Sequence, residues 1–215
     1  MLTSALAGLG LGLSLIVAIG AQNLFVLRQG LRREHVLVVA VICAVSDVVL
    51  ILLGVSGVGL ALQALPWLVT MVRWVGAAFL LGYGVLAFRR ALRPTGEAMR
   101  IAEGEVAGGE PGDTAVAVRT AAAPTVLACL ALTWLNPHVY LDTVFLLGSV
   151  ASTHGADRWW FALGAALAST LWFFALAFGA RLLGRWLSTA RAWRILDVVI
   201  GTIMVVLAAH LAFSG

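Results

Sequence analysis

The chain has 215 residues, of which 62% are hydrophobic and only 11% charged, where a soluble domain carries about 25% charge. With a mean hydropathy of +1.03, the composition excludes an ordinary soluble globule and points to an all-α integral membrane protein. All fourteen basic residues are arginine, and none forms a basic stripe interleaved with aromatics, so a lipid bilayer is the expected partner and nucleic acid is not.

Crossing a bilayer takes about 20 apolar residues. Six windows qualify: 2–27, 36–62, 67–88, 120–150, 159–183 and 193–213. The first twenty residues carry no charge and run into further apolar sequence, so they read as a retained span rather than a cleaved signal. The fourth window is too long for one straight span, which implies a break. Connections are short except around 89–119, where Gly, Glu and Pro mark a polar linker. The chain therefore divides into a three-span unit at 1–92, a linker at 93–119 and a second three-span unit at 120–215. An odd number of spans per unit forces opposite insertion, the inverted-repeat arrangement of many secondary transporters.

Arginine counting orients the spans. Twelve of the fourteen arginines fall in or beside the odd loops; only Arg73 and Arg158 do not. The odd loops are expected in the cytoplasm and both termini outside. Trp67, Trp159 and Trp160 suit one interfacial belt, and Trp186 and Trp193 the other, while Trp74, Trp134 and Trp172 suit core packing. Gly54, Gly57 and Gly59, like Gly76, Gly82 and Gly84, suit close helix packing. Cys43 and Cys129 fall within apolar spans and read as buried small hydrophobes.

Polar residues inside spans are expensive and so informative. Asp47 lies about eleven residues into the second window, near mid-depth at 1.5 Å per residue; its readings are a substrate or proton site, or an ion pair with Arg73. Within the fourth window, Pro137 removes a backbone donor and disfavours helix at Asn136. Asn136-Pro137 reads as an N-cap followed by proline at the first helical position, whose free donors and dipole suit a carboxylate. Asp142 lies six residues on, about 9 Å if helical, a separation close to the length of an extended arginine or lysine. The first window has a counterpart break at Gly20-Ala21-Gln22-Asn23, where Gln22 and Asn23 offer amides for a zwitterion. Tyr140 and Trp134 could face a cation, and His138 could shuttle protons. His35, His154 and His210 read as structural, and Asp197 as an interfacial partner of Arg194. No nucleophile–base pair and no phosphate loop is apparent, so neither an enzyme nor a bound cofactor or metal is expected.

Gly20-Ala21-Gln22-Asn23, Arg28-Gln29-Gly30-Leu31-Arg32-Arg33, Ser46-Asp47 and Thr133-Trp134-Leu135-Asn136-Pro137-His138-Val139-Tyr140-Leu141-Asp142-Thr143 together resemble the LysE/ArgO family of basic amino-acid exporters, nearly end to end. The wider superfamily typically has Asn-Pro-Lys where this chain has Asn136-Pro137-His138, which favours the basic-substrate branch. One departure is Ala21, where the family usually has proline. The resemblance implies secondary-active export of L-arginine or L-lysine across a bacterial inner membrane by alternating access, with Asp47 and Asp142 as the functional acids, for cargo or for coupling protons. A neutral amino acid or a metal cation is the alternative cargo. Oligomeric state is left open, a homodimer among the options.

Overall fold

A computed structural model describes residues 1–17, 20–57, 66–92, 122–183 and 189–213. Every regular element among them is helical: α1 (Leu2–Ile16), α2 (Ala21–Arg32), α3 (Val36–Val55), α4 (Pro66–Leu92), α5 (Ala122–Trp134), α6 (Pro137–Val139), a π-helical segment (Tyr140–Leu146), α7 (Leu147–Thr153), a 3-10 turn (Gly155–Asp157), α8 (Arg158–Leu183) and α9 (Ala190–Phe213). The linker at 93–119, Gly59 and Trp186 lie outside the described residues.

By length and composition, four described helices can cross a membrane. The bent pair α1 and α2, whose axes differ by 80°, makes a fifth. The fourth window behaves differently from a plain span. Its first helix, α5, has 13 residues, about 20 Å of rise against a hydrocarbon core of about 30 Å. The chain then breaks and continues as α6, the π segment and α7.

Small residues decide which helices touch. A Cβ on Gly8 of α1 would meet the Phe161 backbone of α8, and one on Gly164 would meet Ala5. Gly54 of α3 lies 2.8 Å, measured from an ideal Cβ, from the Val144 carbonyl, and Gly84 of α4 similarly abuts Gly201 and Met204 of α9. Lipid tails are as apolar as the helices, so close backbone approach rather than hydrophobic burial favours these contacts. The outcome is that α1 packs on α8, α4 on α9, and α3 on both α8 and the broken fourth segment. Each unit thus packs largely on the other. Gly57 and Gly82 do not serve the close packing expected of them, since a Cβ on either would meet nothing within 4 Å; Gly57 instead has φ +89° just past the end of α3.

Two polar clusters mark opposite ends of the bundle. The Met1 ammonium contacts Asp157 at 2.6 Å, and Ser4 pairs with His154 at 3.1 Å. At the other end of α8, Gly30 of α2 packs on Ala177 and Ala180. There Arg28 donates to Asp197 at 2.9 Å, with both side chains buried. Asp197 is therefore not paired with Arg194: the chain brings Arg28 and Arg90 to it from other helices, and α9 turns Asp197 inward. Trp74 also departs from expectation. It is exposed on the outer surface of α4, where Arg73 lies over its ring at 5.7 Å.

Candidate functional site

Both breaks open onto one cavity of about 380 Å³, within the size range of small-molecule sites. From the first break it is lined by Gly20, Ala21, Gln22 and Asn23, and from the second by Asn136, His138, Asp142 and Thr143. Asp47 reaches it from α3, and Leu207 and His210 from α9. Seven of the nine positions expected from the two breaks and α3 line it, namely Gly20, Gln22, Asn23, Asp47, Asn136, His138 and Asp142, whereas Pro137 and Tyr140 do not and His210 is added.

The second break follows from the chemistry of proline. Pro137 has no N–H to give the Thr133 carbonyl, and α5 ends at Trp134. Asn136 takes an extended backbone, φ −97° and ψ 103°, and its side-chain oxygen accepts the His138 N–H at 3.1 Å. The Trp134 carbonyl, also deprived of its helical donor, accepts the Tyr140 hydroxyl at 2.9 Å. Tyr140 thus braces the break and does not line the cavity. Pro137 is buried, and Gly76 of α4 gives it room, since a Cβ there would meet the Leu135 carbonyl.

The donors expected for a carboxylate at this helix end are already used. The His138 N–H goes to Asn136, Val139 N–H to the Asn136 carbonyl at 3.1 Å, and Tyr140 N–H to the Pro137 carbonyl. Beyond them the helix widens to π geometry from Tyr140 to Leu146, a form that often marks functional sites. Asp142 sits in that segment, with Oδ2 3.8 Å from His138 Nε2.

The first break offers what the second does not. Gly20 caps α2 in extended conformation, φ −123° and ψ 171°, with no side-chain cap. The first helical acceptor pairing is Leu24 N–H to the Gly20 carbonyl, so the Ala21 and Gln22 N–H groups at the first turn have no acceptor within the helix. Gln22 adds an amide nitrogen that is buried with no hydrogen-bond partner among the described residues. Asn23 is held in place: its amide donates to the Ile16 carbonyl at 2.6 Å, and its oxygen accepts from the Trp172 indole at 3.3 Å.

Asp47 is buried and accepts the Ser169 hydroxyl at 2.9 Å across α3 and α8. Arg73 makes no ion pair with it among the described residues, which removes that structural reading. The adjacent Ser46 accepts the Trp134 indole N–H at 3.2 Å. Deeper in the core, Cys43 and Cys129 lie 3.2 Å apart, sulfur to sulfur, as free buried thiols. A concave, partly apolar site with two carboxylates, uncapped backbone donors and an amide can hold a small zwitterion that carries an extra cation.

Comparison with known proteins agrees in kind. Residues 13–215 match the model of the LysE type translocator family. The lysine exporter LysE of Corynebacterium diphtheriae is 40% identical over 96% of this chain and 97% of its own length. The arginine exporter protein ArgO of Klebsiella pneumoniae is 42% identical over 100% of this chain and 96% of its own, and that of Escherichia coli 42% identical over 97% and 92%. No solved structure matches.

Proposed function

The chain belongs to the LysE type translocator family, and on that premise we propose that it exports a cationic amino acid, L-arginine or L-lysine, through the cavity between its two breaks. The observation that carries this reading is the convergence of Asp47, Asp142, Gln22, Asn23 and Asn136 on one lining. A carboxylate inside a membrane is retained where it meets a cavity or a partner. Two of them at a site suit a substrate with a cationic side chain.

The proposed division of labour follows the hydrogen bonds. The substrate α-carboxylate sits at the N-terminus of α2, where the helix dipole and the Gln22 amide favour an anion. Its guanidinium or ammonium meets Asp142 or Asp47. Coupling protons, if the cycle uses them, are assigned to Asp47, Asp142 and His138, which share the cavity lining, with His138 3.8 Å from Asp142. Asn136 and Pro137 shape the second break, and Tyr140 fixes its geometry.

Alternating access supplies the transport step. The packing supports paired inverted units: exchanging the first three spans for the last three maps the contact of α1 with α8 onto that of α3 with the broken segment, and leaves α4 on α9 paired. On this reading the segment 122–153 is a sixth, broken crossing, and residues 1–92 and 120–215 are the two units joined by 93–119. The twelve arginines in or beside the odd loops support a cytoplasmic position for those loops, with both termini outside the bacterial inner membrane. Proteoliposomes carrying the full chain test the assignment. Efflux of labelled arginine or lysine, with leucine retained, is expected; efflux of leucine alone, or of none, contradicts it.

A further inference from the structure

Three layers follow one another along α2. Gln22 lines the cavity, Phe25 is buried one turn on, and Arg28 is buried one turn beyond that. Successive turns rise about 5 Å. Phe25 meets Tyr83 of α4 edge to face at 6.1 Å between ring centroids, and Tyr83 in turn lies 6.3 Å from Phe79. Past these rings, Asp197 of α9 accepts from Arg28 at 2.9 Å and from Arg90 of α4 at 3.5 Å. The Arg90 guanidinium also lies over the Tyr83 ring at 5.5 Å, joining the two layers. On α9 the order is the same, with Asp197 at one end and the cavity-lining His210 thirteen residues on, about 20 Å away.

We propose that the Arg28–Asp197–Arg90 cluster, backed by the Phe25–Tyr83 layer, is the gate that closes the transport path at its arginine-rich end. The proposal rests on the transport reading above. One carboxylate shared by two guanidinium groups ties α2, α4 and α9 together, and of these α2 and α9 carry part of the cavity wall on the other side of the layer. A buried ion pair is weak evidence for stability, because taking both charges from water costs about as much as their attraction returns. Such pairs suit elements that must choose between two packings. The cluster also leaves polar capacity unspent: Arg90 Nη2 and the Trp193 indole nitrogen are buried with no partner among the described residues. Opening separates the arginines from Asp197 and leaves a carboxylate at the mouth, where a cargo cation entering from that side takes their place. Asp197 is a positioning residue in the closed state and a cation-docking residue in the open one.

The test reads access rather than transport. In a Cys43→Ala, Cys129→Ala background, Leu15→Cys puts a single thiol on the cavity wall, and a membrane-impermeant maleimide is applied to either face of inverted and right-side-out vesicles. Asp197→Asn is expected to raise labelling from the arginine-rich face at least fivefold, and Asp197→Glu to leave it within twofold of the parent. Arg90→Gln, which removes only the longer and more exposed arm, is expected to give an intermediate rise, and it serves as the readout where Asp197→Asn does not reach the membrane. Labelling unchanged in whichever of these variants reaches the membrane overturns the gate. Efflux of labelled arginine and of labelled lysine by the parent chain is measured in the same vesicles: absence of both overturns the transport reading, whatever the labelling shows.

Discussion

The Ser169 hydroxyl donates to Asp47 Oδ2 at 2.9 Å, linking α8 and α3 at the floor of the cavity. The two residues lie 122 positions apart in the chain. A hydrogen bond to a charged group contributes about 1.5–3 kcal/mol, so this one can hold the acid ready for a cation. Ser169→Ala is expected to lower export about tenfold, since about 1.4 kcal/mol corresponds to that factor, with membrane protein levels unchanged. Initial efflux rates normalised to protein in the membrane check it.

Gln22→Leu keeps approximate side-chain size and removes the unpartnered amide. If the substrate carboxylate binds at the start of α2, the loss appears mainly as a higher KM, of the order of tenfold. The same substitution in a packing role lowers stability and leaves KM alone. Concentration-dependent efflux separates the two.

Tyr140→Phe removes the donor to the Trp134 carbonyl. An orphaned carbonyl at membrane depth costs about 1–3 kcal/mol. The expected signature is a lower unfolding midpoint in detergent with substrate affinity within twofold of the parent, because Tyr140 is not part of the cavity lining. A large loss of affinity at unchanged stability contradicts the bracing role.

Gly76→Ala forces a Cβ against the Leu135 carbonyl beside the break. A steric conflict with backbone cannot be relieved by a rotamer change, and overpacking costs about 1–3 kcal/mol. Reduced membrane abundance is expected here, in contrast to Gly82→Ala, where a Cβ meets nothing within 4 Å. Quantitative immunoblotting of the two variants makes the comparison.

Much of this site was legible because membrane depth makes polarity costly. Asp47, Asp142, Gln22, Asn23 and Asn136 stood out against apolar surroundings, and Pro137 announced its break. What the sequence concealed was long-range or conformational. Asp197 has Arg194 three positions away, yet its partners Arg28 and Arg90 are distant in the chain, and no local spacing reveals that. The π segment carrying Asp142 has no residue signature, since ordinary helix formers adopt it under packing. His210 looked like a terminal histidine until α9 was seen to pass the cavity. Tyr140 has chemistry suited to a cationic substrate, whereas the Trp134 carbonyl, whose helical donor His138 N–H turns to Asn136, claims its hydroxyl. The backbone donors after Asn136 are likewise taken within the break, which is why the proposed carboxylate site lies at the start of α2.

The most direct test of the central claim is arginine and lysine efflux by Asp47→Asn and Asp142→Asn, each confirmed in the membrane at parental levels. Loss of at least 90% of efflux in both variants is the result expected if the two acids receive the cargo cation. Parental efflux in both would contradict it and leave the acids with a structural role alone.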